Sequence, residues 1–178
     1  QWWSNLILAT NDVLQSAELD PSAIKAIGIA YQMHGLVLVD KNHELLRSSI
    51  IWCDSRAVPY GDHAMKSLGE ERCLSQLLNS PGNFTASKLS WVIMNEPEIY
   101  EKAYKFMLPG DYIPFKLTGQ VNTTKNGLSE AILWDYRDNK VADWLLNHLE
   151  IDTSLVPDIV ENFTNQGITQ DQAAKETG

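Results

Sequence analysis

The chain is poor in cysteine and has no long apolar run, and each shortage excludes a class of protein. Only two of its 178 residues are cysteine, Cys53 and Cys73, and neither lies in a C-x-x-C pair or in a His/Cys cluster with zinc spacing. This usage predicts a reduced, cytoplasmic setting. No apolar stretch approaches the roughly 18 residues that cross a bilayer, and the first residues lack the pattern of a secretion signal. The sequence therefore predicts a soluble protein with no membrane partner.

Basic side chains are also scarce. Lys and Arg number 14 against 23 Asp and Glu, which gives a net charge of −9 at pH 7, and no basic cluster interrupts this field. Such a surface repels phosphate backbones, so we expect no nucleic acid as a partner. The composition, 44% apolar and 21% charged, is otherwise that of a globular protein. At this length one domain is expected.

The common catalytic motifs are absent as well. The sequence holds no G-x-x-x-x-G-K-[ST] or G-x-G-x-x-G nucleotide loop, no H-E-x-x-H zinc helix and no G-x-S-x-G nucleophile elbow. Residue patterns alone therefore predict a soluble α/β domain and leave its role open.

Hydrophobic periodicity predicts a helix followed by strands in the first part of the chain. Residues 2–17 carry one apolar helical face, and the breaker Asp20-Pro21-Ser22 follows it. The unbroken apolar run at residues 26–30 is typical of a buried strand in a sheet covered on both faces. Residues 36–39 and 45–52, separated by a polar tetrad, predict an antiparallel hairpin that lies on the edge of this sheet or continues it.

Helical periodicity dominates the rest of the chain. The predicted helices cover residues 60–68, 72–78, 87–94, 97–103, 111–117 and 141–149. Short strands are predicted at residues 105–108 and 132–136, and the tail after Pro157 is weakly patterned. The predicted fold class is α/β, with a mixed sheet flanked by helices.

The first candidate for a binding site is the polar insertion Gln32-Met33-His34, which lies between two predicted strands and is followed by Gly35. Strand ends are where open α/β folds usually bind ligands. His34 could hydrogen-bond a sugar hydroxyl through either ring nitrogen, and Met33 would line the pocket with an apolar surface. The alternative interpretation is that His34 caps a strand and Met33 fills the core.

The second candidate is the segment 52–56, at the end of the predicted hairpin. Trp52 offers an apolar face for a sugar ring, while Asp54 and Arg56 supply charge-assisted hydrogen bonds. The alternative is a local Asp54–Arg56 pair that only orders the loop. A third feature is Lys88 in the first turn of a predicted helix, where a cation opposes the helix dipole and thus indicates a nearby acidic partner or an anionic ligand.

Taken together, these segments resemble a known family, the FGGY carbohydrate kinases, and within it the xylulokinase branch. The resemblance lies in the following segments, which occur in the family's order and at about its spacing: Gln1-Trp2-Trp3, Ile27-Gly28-Ile29, Gln32-Met33-His34-Gly35, Ile51-Trp52-Cys53-Asp54-Ser55-Arg56, Phe84-Thr85-Ala86-Ser87-Lys88-Leu89-Ser90-Trp91, Asn95-Glu96-Pro97-Glu98-Ile99-Tyr100, Leu108-Pro109-Gly110-Asp111-Tyr112 and Leu117-Thr118-Gly119. The most discriminating of them is Gln-Met-His-Gly. Asn83, Met94 and Gly110 depart from the usual family pattern.

The resemblance implies an actin-like ATPase fold of the ribonuclease-H-like type, present here in part. Residues 1–178 would be a partial N-terminal, sugar-binding domain of a longer kinase. Family members begin with a strand and phosphate loop that would precede Gln1. Their catalytic aspartate and their ATP-binding domain would follow Gly178. On this interpretation the chain alone is inactive, and its unpaired sheet edge beside residues 26–30 favours a homodimer.

The function implied by the resemblance is transfer of phosphate from ATP, with Mg2+, to D-xylulose, giving D-xylulose 5-phosphate in pentose catabolism. The substrate-binding residues it implies are Met33, His34, Gln32, Trp52, Asp54 and Arg56, whose role is orientation. ATP and Mg2+ would be bound mainly by parts of the enzyme outside this chain. The alternatives are a ribulokinase or gluconokinase of the same family, or a non-catalytic sugar-binding module.

Overall fold

The centre of the fold is strand β1 (Val37–Val39), which is hydrogen-bonded along both of its edges. In the computed structural model, which describes residues 1–178, β1 pairs antiparallel with β2 (Lys105–Met107). Its other edge meets residues 45–50 through the antiparallel bridges Leu36–Ile50 and Val39–Leu45. The hairpin predicted at residues 36–39 and 45–52 is confirmed, although its second half forms single bridges and not a continuous strand.

Four further short strands form two separate ladders. They are β3 (Asn122–Thr124), β4 (Trp134–Asp135), β5 (Lys140–Val141) and β6 (Asp158–Val160). Strand β3 runs parallel to β6, whereas β4 and β5 form an antiparallel hairpin. Parallel and antiparallel pairing therefore both occur, but in separate ladders, so the predicted single mixed sheet does not form within residues 1–178.

Nine helices surround these strands. They are α1 (Trp2–Ser16), α2 (Val58–Leu68), α3 (Glu70–Gln76), α4 (Thr85–Asn95), α5 (Pro97–Tyr100), α6 (Pro109–Thr118), α7 (Lys125–Glu130), α8 (Asp143–His148) and α9 (Asp171–Thr177). Every predicted helix is present within a few residues of its predicted bounds. The helix predicted at residues 97–103 is shortened most, to the single turn of α5. None of these helices combines the length and the apolar character that a membrane span requires.

Strand β1 is buried on both faces because its side chains alternate between two apolar clusters. Leu36 and Leu38 point into the larger cluster, where α4 contributes Leu89 and Val92. Val37 and Val39 point into the smaller cluster, which α6 and the first turns of α1 complete with Tyr112, Phe115, Trp2, Trp3 and Leu6. The central hairpin thus lies between a layer that contains α4 and a layer that contains α6 and α1.

The strand predicted at residues 26–30 is not formed, and this prediction is wrong. The segment has no regular structure, and Ile27 is 58% exposed. A strand is stable only where a neighbouring strand accepts its backbone hydrogen bonds. Both edges of β1 are already occupied by β2 and by residues 45–50. The apolar run therefore lies on the surface of these 178 residues.

The tail after Pro157 is more ordered than its weak pattern indicates. Strand β6 pairs with β3, and α9 packs against α1 and α6. The indole Nε1 of Trp3 donates to the Glu176 carboxylate at 2.7 Å, and Ala173 is buried in the smaller cluster. These partners lie far away in sequence, so local periodicity could not reveal them.

Three segments that contain candidate site residues or family motifs meet at one end of the central hairpin. Residues 32–35 lead into β1, residues 51–56 follow the bridge at Ile50, and Leu108 follows β2. The approach is close at Gly35, where an added Cβ would lie 2.4 Å from the ring of Pro109 at the start of α6. This contact explains the glycine and gathers the three segments at one site.

Candidate functional site

The site is built around the backbone of His34, which two distant side chains hold. His34 has a φ of 61°, in the left-handed region that residues other than glycine seldom adopt. Its N–H donates to the Glu130 carboxylate, at the end of α7. Its carbonyl accepts from Lys88 Nζ at 2.6 Å. The peptide groups of His34 are therefore fixed by one negative and one positive side chain.

The imidazole of His34 is oriented by the same residue. Its Nδ1 lies 3.3 Å from a Glu130 carboxylate oxygen and 3.2 Å from the Glu130 carbonyl oxygen. Phe84 packs edge-on against the ring, with 4.1 Å between the ring centroids. The His34 side chain is 21% exposed. Burial lowers the pKa of His34, and the charge of Glu130 opposes this shift only in part.

Lys88 is the most deeply buried charged group of the site. Its side chain is inaccessible to solvent, and burial lowers its pKa to about 8. The negative charges of Asp54 and Glu130 oppose this shift. The acidic surroundings that the position of Lys88 in the helix indicates are therefore present. Lys88 also connects the His34 segment to the Asp54 segment electrostatically.

Tyr31 closes one side of this cluster and accounts for Gly110. The Tyr31 hydroxyl donates to Glu130 at 2.9 Å, and burial together with that carboxylate raises the pKa of Tyr31. An added Cβ at Gly110 would lie 2.1 Å from the Tyr31 ring. Only glycine leaves room for the ring at this position in α6. The departure of Gly110 from the family pattern thus has a steric cause within this chain.

Asp54 and Arg56 form the local pair that was the alternative interpretation of this segment. The Arg56 Nε donates to both Asp54 oxygens at 2.9 Å, and the Asp54 carboxylate also caps the short 3-10 helix Ser55–Ala57. The guanidinium lies over Trp91, 4.6 Å from the ring centroid. Both charged groups thus have partners within the chain. A ligand that binds Asp54 or Arg56 would have to share the group with these partners.

Met33 and Trp52 are the exposed apolar residues of the candidate set, and Gln32 contacts the backbone of Trp52. Gln32 Oε1 accepts from the Trp52 backbone N–H at 3.3 Å. Met33 and Trp52 are 55% and 57% exposed. The amide of Asn83 donates to the Asp54 carbonyl at 2.8 Å and so holds the same loop from the other side. Met33 and Trp52 are the two apolar surfaces of this set that remain open to solvent.

The structure joins the predicted residues in two groups and adds three that the sequence did not indicate as partners. Gln32 joins Trp52, and Asp54 joins Arg56, while His34 is linked to Asp54 only through the field of Lys88. Glu130 and Tyr31 were missed, and Lys88 was noticed only for its place in a helix. Glu130 lies 96 residues from His34, so its only local signal is a charged residue directly before the apolar run at residues 131–134.

The described residues do not form a metal site. No group of three or more His, Cys, Asp or Glu side chains lies close enough together to hold a metal ion. Both cysteines are free thiols, Cys53 exposed and Cys73 buried.

Comparison with known proteins identifies the family. The profile of the FGGY family of carbohydrate kinases, N-terminal domain, matches residues 1–178. The chain belongs to the FGGY family of carbohydrate kinases. The resemblance seen in its sequence motifs is thus confirmed.

Individual relatives give the same result. The chain is 35% identical to the xylulose kinase of Staphylococcus xylosus over 81% of its length and 30% of that protein. It is 30% identical to the xylulose kinase of Escherichia coli over its whole length and 36% of that protein. The chain therefore spans about a third of the length of these relatives.

A solved structure confirms the fold class. The xylulose kinase from Rhodospirillum rubrum superposes with a TM-score of 0.86 at 25% identity, over all of this chain and 37% of that one. The FGGY kinase structures are actin-like ATPase folds, and this chain has part of that fold. The predicted fold class is therefore correct, although the segment 26–30 is not paired in residues 1–178.

Proposed function

We propose that residues 1–178 are the N-terminal, sugar-binding part of a kinase that transfers phosphate from ATP to D-xylulose, giving D-xylulose 5-phosphate. The family assignment supports a sugar kinase, and the relatives named above are called xylulose kinases. The Gln32-Met33-His34-Gly35 sequence supports the xylulokinase branch within that family. In this proposal the cytoplasm is the site of action, and ATP and Mg2+ are supplied mainly by other parts of the kinase.

The observation that carries the proposal is the conformation of His34. A non-glycine residue at φ 61° is strained, and such strain persists only where surrounding contacts impose it. Glu130 and Lys88 impose it here through both peptide groups of His34. The result is an imidazole of fixed position that is still 21% exposed. The positive φ is shared by His43, so what distinguishes His34 is that Glu130 and Lys88 hold both of its peptide groups. A ligand-binding histidine benefits from being held in place in this way.

The role we propose for this part of the kinase is orientation of the ketose. His34 would hydrogen-bond a sugar hydroxyl, and Met33 and Trp52 would contact its apolar faces. Gln32 and Asn83 hold the 52–54 loop, so that Trp52 keeps its place. Asp54 and Arg56 would contribute mainly by ordering this loop. Holding the attacking oxygen in line with the γ-phosphorus can contribute several kcal/mol to the rate.

The test is a substrate panel with the full-length polypeptide that contains this chain. ADP release would be measured with D-xylulose, D-ribulose, D-gluconate and glycerol. We expect the highest kcat/KM with D-xylulose. A preference for D-ribulose or D-gluconate would instead identify a ribulokinase or gluconokinase. Sugar binding without ADP release would identify a non-catalytic sugar-binding module.

A further inference from the structure

Glu130 makes contacts with His34 that go beyond holding its backbone. Its carboxylate accepts from the His34 N–H and also lies 3.3 Å from Nδ1 of the ring. Its carbonyl oxygen lies 3.2 Å from the same Nδ1. Nδ1 therefore faces two oxygens of one residue at the end of α7.

Both of these oxygens can only accept hydrogen bonds. A neutral imidazole carries one proton, on Nδ1 or on Nε2, and the nitrogen without it is an acceptor. With Nδ1 between a carboxylate and a carbonyl, the proton belongs on Nδ1, because an unprotonated Nδ1 would set lone pair against lone pair. Nε2 is then left with a free lone pair.

Titratable groups from α7, α4 and α6, and from the segment before β1, surround the His34–Glu130 pair. Glu130 comes from α7 and Lys88 from α4, and both act on His34 directly. Tyr31 donates to Glu130, and Asp111 of α6 lies close enough to Glu130 for their charges to interact. Burial lowers the pKa of His34 against the opposing charge of Glu130, which is consistent with a neutral ring near pH 7.

We propose that Glu130 is a positioning residue that fixes the Nδ1-protonated tautomer of His34, so that Nε2 accepts a hydrogen bond from a hydroxyl group of the sugar. This inference rests on the proposed function for the identity of the sugar. The tautomer itself follows from the contacts within the chain. The ligand chemistry it selects at this point is a hydroxyl donor, and a group that only accepts hydrogen bonds is disfavoured.

The first measurement reads the tautomer directly. Nitrogen NMR of histidine-labelled full-length protein distinguishes a protonated from an unprotonated ring nitrogen, and a His34→Gln variant assigns the His34 signals among those of the other histidines. We expect His34 to carry its proton on Nδ1 near pH 8. A proton on Nε2 would overturn the inference, whether or not the enzyme phosphorylates D-xylulose. Conversely, a correct tautomer without D-xylulose turnover would count against the proposed function alone.

The second measurement compares two variants of Glu130 kinetically. Glu130→Leu removes the acceptor and the charge, and we expect KM for D-xylulose to rise about tenfold with little change in KM for ATP. Glu130→Gln keeps an acceptor oxygen, so KM near pH 8 should return to within about threefold of wild type. Glu98→Leu, a charge deletion at an exposed position of α5, is the matched control. If Glu130→Gln is as impaired as Glu130→Leu, the positioning role is wrong.

The pH profile separates charge from geometry. Glu130 raises the pKa of His34, so its neutralisation lowers that pKa. Both Glu130 variants should therefore move the acidic limb of kcat/KM for D-xylulose to lower pH, even though only Glu130→Gln restores KM near pH 8. A purely structural Glu130 would leave the limb in place, and that result would also overturn the inference. Because Glu130→Gln keeps the hydrogen bonds, it makes this test possible if Glu130→Leu fails to fold.

Discussion

His34 shows how two long-range contacts can maintain a strained residue. The left-handed conformation costs about 1–3 kcal/mol for a residue other than glycine. A hydrogen bond to a charged group contributes about 1.5–3 kcal/mol, and His34 has one from each peptide group, to Glu130 and from Lys88. The two hydrogen bonds are thus of the size needed to offset the strain. Loss of either one would release the loop that carries the imidazole.

The first prediction concerns His34 in the full-length kinase. We expect His34→Ala to lower kcat/KM for D-xylulose roughly tenfold to a hundredfold, because a binding site that loses a hydrogen bond to a sugar hydroxyl loses about 1–3 kcal/mol. KM for ATP should stay nearly unchanged, and the melting temperature should change little. Steady-state kinetics and thermal unfolding measure both quantities.

His43 provides the control for this prediction. It also has a positive φ, of 65°, but it packs on Tyr104 and Phe115 at the opposite end of the hairpin. His43→Ala should leave D-xylulose kinetics unchanged. If His34→Ala melts several degrees lower and keeps normal sugar kinetics, His34 is a core residue, as the alternative interpretation holds.

The second prediction concerns the buried cation Lys88. Its pKa in the folded state is about 8, below its ordinary value of 10.5, so the unfolded chain binds more protons between these two pH values. Below pH 8 the buried, charged Lys88 destabilises the folded state, on the order of 3 kcal/mol. As the pH rises from 8 toward 10.5, Lys88 loses its proton in the folded state and this destabilisation decreases. The free energy of unfolding of wild type relative to Lys88→Met should thus increase from pH 7 to pH 10.

Urea unfolding at the two pH values measures this difference. Lys66→Met, on the exposed face of α2, is the control and should show no such change relative to wild type. An unchanged difference between wild type and Lys88→Met would mean that Lys88 titrates as an ordinary lysine. Its burial would then be incomplete in solution.

At the scale of elements, the start of α6 depends on a buried carboxylate. Asp111 accepts from the Leu108 N–H at 2.9 Å and satisfies one of the free donors at this helix end. Burial raises the pKa of Asp111 to about 7, while the Leu108 N–H opposes the shift. The hydrogen bond to Leu108 is therefore kept although the ionised Asp111 carboxylate is poorly solvated in its buried position.

The third prediction follows from the sign of this shift. An acid whose pKa is raised on folding stabilises the fold below its unfolded value of 3.8, and this contribution is lost as the pH rises through about 7. Asp111→Asn keeps an acceptor without the charge. Its melting temperature should match wild type below about pH 4 and exceed it increasingly as the pH rises to 8.

Asp111→Ala separates the cap from the charge. It removes the acceptor for Leu108 N–H at every pH and should lower stability by about 1–2 kcal/mol near pH 5. The interpretation fails if Asp111→Asn is less stable than wild type at pH 8. In that case the charged carboxylate itself would be the better cap.

At the scale of the whole molecule, we predict that residues 1–178 alone are inactive as a kinase. The chain has no recognisable phosphate loop in its sequence, and no described cluster of His, Cys, Asp or Glu could hold a metal ion. We expect no transfer of phosphate from ATP to D-xylulose by the purified 178-residue chain. The full-length kinase is the positive control. Turnover by the short chain above a no-protein blank would mean that the reacting groups lie within it.

The exposed segment at residues 24–33 predicts self-association of the isolated chain. Ile24, Ile27 and Met33 are 46%, 58% and 55% exposed, beside a backbone that no strand pairs with. Light scattering should detect dimers or larger species. Ile27→Asp should reduce them, whereas Leu74→Asp, at a 44% exposed position of α3, should not. A clean monomer at high concentration would contradict this prediction.

Much of the fold could be predicted because its signals are local. The helices at residues 60–68 and 87–94 and the turn between residues 39 and 45 depend on periodicity and turn residues, and all are present in the structure. The prediction of a strand at residues 26–30 is wrong for a complementary reason. An apolar run shows that burial is possible, but a strand also needs a partner, and partners are properties of the assembled sheet.

The amino-acid sequence by itself determined the family, through motifs such as Gln32-Met33-His34-Gly35, together with the fold class and the two candidate segments 32–35 and 52–56. Tertiary structure decided how these residues are held. Glu130 reaches His34 across 96 positions, and Lys88 reaches the carbonyl of the same residue across 54. The physical reason is that motifs and periodicity are read over a few residues, whereas the strain, the tautomer and the shifted pKa values of this site arise from side chains that only folding brings within hydrogen-bonding distance.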